Sequence, residues 1–181
     1  IHDEVTNRGN SIAPHMLLYH CNFGWPLADE GAQLLWKGDW QPGQPGRNRI
    51  FKADNDFRTC PGPLPAHNGS GEEVAFIDIT ADGNGTATCG LYNPKIELAL
   101  AIRFSKKQLP WLTNWQHWGS GEYVTGIEPG TNPPIGQAKA RAENTLLFLA
   151  PGETKSYDLH IEVLHTKAGI SSFVKDLTIT L

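Results

Sequence analysis

The 181-residue sequence has few cysteines, no excess of positive charge and no long apolar run. Its three cysteines (Cys21, Cys60 and Cys89) are odd in number and lack the CxxC spacing, which favours a reducing compartment over a disulfide scaffold. We therefore expect a cytoplasmic protein. The 15 lysines and arginines are scattered and the net charge is −4, so the basic patch of a nucleic-acid-binding protein is missing. The longest apolar runs, such as LLFLA, are far shorter than the roughly 20 residues of a membrane span. We expect neither nucleic acid nor membrane as a partner.

The sequence also lacks the common motifs of nucleotide, cofactor and metal sites. It has no P-loop, no GxGxxG, no HExxH and no GxSxG. Its seven histidines form no HxH or HxxxH pair, which disfavours a local metal clamp. We therefore predict that the protein uses neither an organic cofactor nor a metal ion.

What the sequence does have is period-two alternation of apolar residues and many turns. In KIELALAIRF (95–104) every second residue is a large apolar one, and KSYDLHIEVLH alternates in the same way. The 19 glycines and 13 prolines supply turns, and the one expected helix is short, near 169–176. This pattern predicts an all-β chain, with residues 1–181 forming a single β-sandwich domain of antiparallel sheets. The segment 38–71, rich in proline and glycine, is expected to be a long loop.

Two stretches carry side chains suited to chemistry. In LLYHCNFGWPL (17–27), His20 and Asn22 end an apolar run just before a turn. In TNWQHWGSGEYVTGIEPGTNPP (113–134), Glu128 ends a strand shortly after a cluster of aromatic residues. Aromatic faces, amides and carboxylates are the groups that carbohydrate sites use. A histidine and a glutamate also have different ordinary pKa values, about 6.5 and 4.3, which suits a proton donor and a proton acceptor near neutral pH.

Each of these residues also has a purely structural interpretation. His20 alone fits a hydrogen-bonded core histidine, and Glu128 alone fits an exposed carboxylate in a turn. The tryptophans alone fit core packing. It is the combination of the three signals that favours a binding or catalytic site.

The two stretches, together with LLFLAPGETKSYDLHIEVL (146–164), resemble the C-terminal part of aldose 1-epimerase-like proteins. The branch they resemble most is the DUF4432-type group related to deoxyribose mutarotase. The resemblance implies a galactose-mutarotase-like β-supersandwich, of which this chain would form the C-terminal part, acting on a free monosaccharide. By motif match, His20 takes the place of the family's general acid and Glu128 the place of its general base, interconverting α and β anomers.

Further residues are assigned to the same site as expectations. Asn22 is expected to hold a sugar hydroxyl or the loop, Trp115 to supply a stacking surface, and Gln116 to bind a hydroxyl. Glu73, at the start of EVAFIDIT, is expected to face the same cleft. We also expect Trp115 or Trp118 to line the pocket without being wholly buried.

The sequence departs from the mutarotase pattern in two ways. Mutarotases carry the histidine in an HxYFN pattern, four positions before the asparagine, whereas His20 is only two positions before Asn22. The resemblance also covers only the later half of such proteins, and the substrate-binding arginine of the earlier half has no counterpart, with Arg103 and Arg141 as unassigned candidates. We therefore expect the chain to need an N-terminal half or a second copy as partner. The alternatives are a non-catalytic carbohydrate-binding protein and a structural subunit.

Overall fold

The computed structural model describes residues 1–43, 50–69 and 71–178. In these ranges twelve β-strands and two α-helices are formed. In chain order they are β1 (His2–Thr6), β2 (Ala13–His15), β3 (Cys21–Phe23), β4 (Gln33–Trp36), β5 (Gly38–Pro42), β6 (Glu73–Ile79), β7 (Thr86–Asn93), β8 (Leu98–Ser105), β9 (Trp111–Gly119), β10 (Glu122–Gly130), α1 (Gln137–Ala142), β11 (Leu147–Leu149), β12 (Thr154–Leu164) and α2 (Lys167–Leu177).

The strands form two five-stranded sheets and one small ribbon. The first sheet has the order β1-β12-β8-β7-β4, the second has the order β3-β10-β9-β6-β5, and β11 pairs with β2. Every pairing between these strands is antiparallel. Apolar side chains from both large sheets, such as Leu91 and Ile102 of the first and Ile77 and Ile127 of the second, share one core cluster. The prediction of an all-β chain of packed antiparallel sheets is confirmed.

Strand β8 is buried on both of its faces, which the alternation alone did not predict. Its large apolar residues, including Ile102 and Phe104, face the core between the sheets. Its small residues Ala99 and Ala101 lie under α2, where they contact the cluster that contains Phe173. Alanine at these positions leaves room for a helix to pack close to the sheet. The predicted helix near 169–176 is therefore present as α2, slightly longer than expected.

The segment 38–71 is only partly the loop that the sequence predicts. Residues 38–42 form β5, which pairs with β6 at the edge of the second sheet, so the expected loop is corrected there. Pro42 is tolerated because an edge strand has one side on which no backbone N–H is needed. Residues 50–69 contain one short 3₁₀ turn, Pro65–His67, and no strand. Residues 44–49 and Ser70 lie outside the described part of the chain.

The second sheet has one face toward the core and one face away from it, which we call the outer face. Along β10, Ile127 belongs to the core cluster, and the residues that alternate with it are on the outer face. Cross-strand pairing places outer-face residues in rows, and one row runs through Asn22, Gly126, Trp115 and Val74. The neighbouring row contains Glu128, Thr113 and Phe76.

A buried amide fixes β9 and β10 to each other beneath this face. The fully buried Asn114 donates from Nδ2 to the Gly126 carbonyl (2.9 Å) and to Thr125 Oγ1 (3.2 Å), and its Oδ1 accepts from Gln116 Nε2 (2.9 Å). Replacing Asn114 with leucine keeps the branching of the side chain and its number of heavy atoms but removes these bonds inside the core. We expect a loss of roughly 2–4 kcal/mol in the free energy of unfolding, measured with urea. Asn10→Leu at an exposed position should change it by less than about 0.5 kcal/mol. Equal effects of the two substitutions would contradict this role.

Candidate active site

A histidine and a buried glutamate meet on the outer face of the second sheet. His20 directly precedes β3, and Glu128 lies near the end of β10, the neighbouring strand. Nε2 of His20 is 3.1 Å from Oε1 of Glu128. The imidazole is 51% exposed, whereas the carboxylate side chain is only 3% exposed. Although Nε2 and Oε1 are this close, their geometry is not that of a hydrogen bond, and no described residue donates a hydrogen bond to Glu128 Oε1. The two residues assigned as acid and base are thus adjacent.

The environment of Glu128 changes its proton affinity. Burial of the side chain raises its pKa from the ordinary value to about 7, while nearby His20 lowers it and the Glu72 carboxylate raises it further. Burial dominates because a carboxylate loses its hydration in the protein interior and is less stable there than the neutral acid. A carboxylate with a pKa near 7 accepts protons far better at neutral pH than an exposed one.

Trp115 stands next to this pair and is fixed on three sides. Its indole Nε1 donates to Glu72 Oε2 over 2.6 Å. Its ring centroid is 6.1 Å from that of His20 and 5.9 Å from that of His117, to which it is nearly parallel. Nδ1 of His117 in turn donates to the Gly71 carbonyl over 2.5 Å. Trp115 is therefore a half-buried, rigidly held ring at the edge of the His20–Glu128 pair.

Asn22 completes the group of predicted residues on this face. It pairs across the strands with Gly126 and its side chain is exposed. Antiparallel partners project to the same face of a sheet, so Asn22 lies on the same side as Trp115 and Glu128. The structure thus brings together His20, Asn22, Trp115 and Glu128.

Comparison with known proteins places this arrangement in a family. The family model "Domain of unknown function (DUF4432)" matches residues 1–163. The chain belongs to the DUF4432 family. Among curated proteins there is no match to it.

Several solved structures share the fold of this DUF4432 chain. A candidate aldose 1-epimerase from Klebsiella pneumoniae is 28% identical with a TM-score of 0.82, over 97% of this chain and 45% of that one. A candidate aldose 1-epimerase from Escherichia coli K12 is 16% identical with a TM-score of 0.62, over 91% and 55%. A galactose mutarotase-like protein from Lactobacillus casei is 20% identical with a TM-score of 0.57, over 90% and 58%. The fold is therefore the galactose mutarotase-like β-sandwich that the sequence resemblance implied, and the chain spans about half the length of these structures.

Two of the residues expected to bind a sugar lie on the opposite face of the sheet. Glu73 and Gln116 pair with each other across β6 and β9, facing the core, and are 4% and 1% exposed. Gln116 Nε2 donates to the Phe57 carbonyl and to Asn114, and its Oε1 accepts from Trp118 Nε1. The expectation that this DUF4432 chain uses Glu73 and Gln116 as outer-face sugar contacts is corrected accordingly, because both side chains are buried on the core side of the sheet.

The other unassigned candidates are also engaged elsewhere. Trp118 is fully buried and packs on Tyr123, with ring centroids 4.6 Å apart, so of the two tryptophans it is Trp115 that stays partly exposed. Arg103 belongs to β8 of the first sheet and pairs with Glu162. The Arg141 guanidinium lies over the Phe148 ring, 5.0 Å from its centroid. The structure brings neither arginine to the His20–Glu128 pair.

The described ranges of the DUF4432 chain hold no group of three side chains able to bind a metal ion. No helix there is long and apolar enough to cross a membrane.

Glu72 and His117, which hold Trp115 in place, were not among the site residues predicted from the sequence. A period-two pattern assigns His117 to the face of Trp115, and Glu72 to the face of Val74, so both were detectable once the sheet register was known.

The effect of the Glu72 charge on Glu128 gives a prediction for the pH at which Glu128 titrates. Glu72→Gln removes a negative charge that raises the pKa of Glu128 but keeps a side-chain oxygen for the Trp115 indole. We expect the Glu128 titration, followed by ¹³C NMR of its carboxyl carbon, to shift to lower pH. Glu122 is on the same face but beside His117, so Glu122→Gln should not shift the pH at which Glu128 titrates. A shift to higher pH in Glu72→Gln would contradict the assignment.

Proposed function

We propose that this chain carries the acid–base site of a mutarotase, which interconverts the α and β anomers of a free aldose. The observation that carries the proposal is the contact between the exposed His20 imidazole and the buried Glu128 carboxylate. It is supported by the 28% identity to the Klebsiella candidate aldose 1-epimerase over nearly the whole chain.

The chemistry follows from the position of the two groups. The anomeric hydroxyl and the ring oxygen are bonded to the same carbon, so an acid and a base held side by side can reach both. Glu128 takes the proton of the anomeric hydroxyl while His20 protonates the ring oxygen, and the bond between C1 and the ring oxygen breaks to give the open-chain aldehyde. After rotation about the C1–C2 bond, the freed hydroxyl attacks the other face of the carbonyl. His20 then takes back its proton from that hydroxyl, and Glu128 returns its proton to the carbonyl oxygen. Each proton transfer is typically worth about 10²–10⁴-fold in rate.

The raised pKa of Glu128 suits this role. An exposed carboxylate with a pKa of 4.5 is a weak base toward a sugar hydroxyl, whereas burial raises the pKa of Glu128 to about 7. The group can therefore gain and return a proton in one catalytic cycle near neutral pH. We propose Asn22 and the partly exposed edge of Trp115 as sugar contacts beside the pair.

The proposal is tested by the rate of anomer exchange. Exchange NMR on ¹³C1-labelled aldoses should show interconversion faster than the uncatalysed rate for at least one pentose or hexose. The tryptophan fluorescence of the protein should respond to the same sugar through Trp115. A fluorescence response in the complete protein without any acceleration of exchange would contradict catalysis and point to a carbohydrate-binding protein.

We further propose that additional strands complete the active protein. Beyond the pairing with β1, residues 160–164 of β12 are bonded to β8 on one side and to no described strand on the other. Ile161 and Val163 are 41% and 57% exposed at this edge, and a sheet edge with apolar residues attracts a further strand. The solved structures contain an unmatched part of about half their length that would supply it.

The need for additional strands is tested by polarimetry on fresh α-sugar, with the chain alone and with the chain linked to the unmatched part of the Klebsiella protein. Full activity of the chain alone would contradict it.

A further inference from the structure

We propose that Gly126 is a positioning residue, whose missing side chain leaves the space in which the Glu128 carboxylate is held against His20. This rests on the proposed acid–base function for its catalytic consequence, but the geometric part stands without it.

The space above Gly126 is occupied by the carboxylate itself. Gly126 lies two residues before Glu128 on the outer face of β10. A Cβ placed on Gly126 would be 2.1 Å from Glu128 Oε1, 3.0 Å from its Cδ and 3.3 Å from Asn22 Oδ1. In protein structures, Cβ atoms essentially never lie closer than 3.0 Å to a non-bonded heavy atom. The Glu128 side chain therefore folds back along its own strand and lies over the glycine.

Glycine is needed here for space and not for backbone conformation. Gly126 is absent from the residues of positive φ in the described chain, so alanine would adopt its backbone without strain. The backbone also has little freedom to move away. Gly126 is paired with Asn22 on one side and Trp115 on the other, and its carbonyl accepts from the buried Asn114 amide. The carboxylate is thus the group that must yield to a larger residue.

A methyl group at position 126 therefore displaces the catalytic base. To reach an allowed contact distance, Oε1 has to move by about 1 Å, away from its position 3.1 Å from His20 Nε2. A misplacement of about 1 Å at a reacting group can cost roughly 100-fold in rate. The cost falls on the chemical step, because the added Cβ would be 2.1 Å from Glu128 Oε1 but 3.3 Å from Asn22 Oδ1, so the carboxylate has to move much further than the amide.

The kinetic test is Gly126→Ala, with Gly24→Ala as the matched control. A Cβ at Gly24 would make an ordinary 3.6 Å contact with the Tyr123 carbonyl, so that variant should behave like the wild type. We expect Gly126→Ala to lower kcat by about 100-fold with KM within about twofold. In the Glu128→Gln background Gly126→Ala should have no further effect. An unchanged kcat with a raised KM would overturn the proposal, since the glycine would then only make room for the sugar.

A second test does not depend on activity. Gly126→Ala should lower the urea midpoint of the otherwise unchanged chain but not that of Glu128→Ala, because removing the carboxylate removes the clash. Additive losses of stability in the double variant would overturn the positioning role. If the stability readout behaves as expected while the wild type accelerates no anomer exchange, the proposed function fails and the positioning role stands.

Discussion

Replacing Glu128 with glutamine is expected to lower kcat/KM for anomer interconversion by about 1,000-fold or more. Glutamine has the size of glutamate and can occupy the same space over Gly126, but it cannot take a proton from the anomeric hydroxyl. The protein would lose the proton-accepting group whose pKa burial has raised to about 7. Exchange NMR with the sugar that the wild type interconverts fastest measures the effect, in whichever form of the protein is active.

Glu122 offers a matched control for this substitution. It lies on the same face of the same strand, its side chain is 63% exposed, and it contacts His117 instead of His20. Glu122→Gln should keep activity within about twofold, and His20→Gln should lose about 100-fold or more, because the acid is then missing. If Glu128→Gln and His20→Gln both kept wild-type activity, neither residue would be the catalyst.

The pair His20 and Glu128 could be predicted from the sequence because each residue ends a recognisable apolar run. Both runs belong to neighbouring strands, β3 and β10, so a resemblance in two short motifs was enough to bring them together. The distance between the two side chains and their unequal exposure to solvent could not be predicted from the sequence. These depend on how far the Glu128 side chain folds back, which is set by the missing side chain of Gly126 and not by any property of Glu128 itself.

The errors at Glu73 and Gln116 have a common physical origin. Alternation identifies two faces but does not say which of them is buried when both carry apolar residues, as Val74 and Ala75 do in β6. In β9 the core face carries the amides Asn114 and Gln116 between Leu112 and Trp118, while Trp115 is on the outer face. The amides can be buried because they bond to each other and to Trp118. Only the sheet register reveals this.

The architecture was easier to predict than the site because it depends on repeated patterns. Alternation over whole strands identified β8 and β12, and the antiparallel sandwich followed. Short elements could not be predicted from alternation. Strand β5 has five residues and ends in proline, and α1 has six, too few for a helical period to stand out. Strand β5 is stabilised by its pairing with β6 more than by its own composition.

Glutamine at position 128 is also expected to stabilise the protein at alkaline pH. In the unfolded chain a glutamate titrates near 4.5, whereas burial raises the pKa of Glu128 in the folded protein to about 7. Between these values the folded state keeps a proton that the unfolded state has released, so the wild type loses stability as the pH rises through this window. Glu128→Gln has no such proton to lose. Its advantage over the wild type should grow by about 2.5 kcal/mol between pH 5 and pH 8, or roughly 5–10 °C in Tm.

Thermal unfolding at the two pH values measures this difference, and the change with pH separates it from any cost of burying the amide. That cost is the same at both pH values and cancels in the comparison. Glu4→Gln, at an exposed position of β1, is the matched control, because it removes one carboxylate without changing a buried group. A Glu128→Gln advantage that is the same at pH 5 and pH 8 would mean that Glu128 titrates like an exposed carboxylate. In that case its burial would not be the source of its basicity, and the proposed role of Glu128 as a base near pH 7 would lose its physical support.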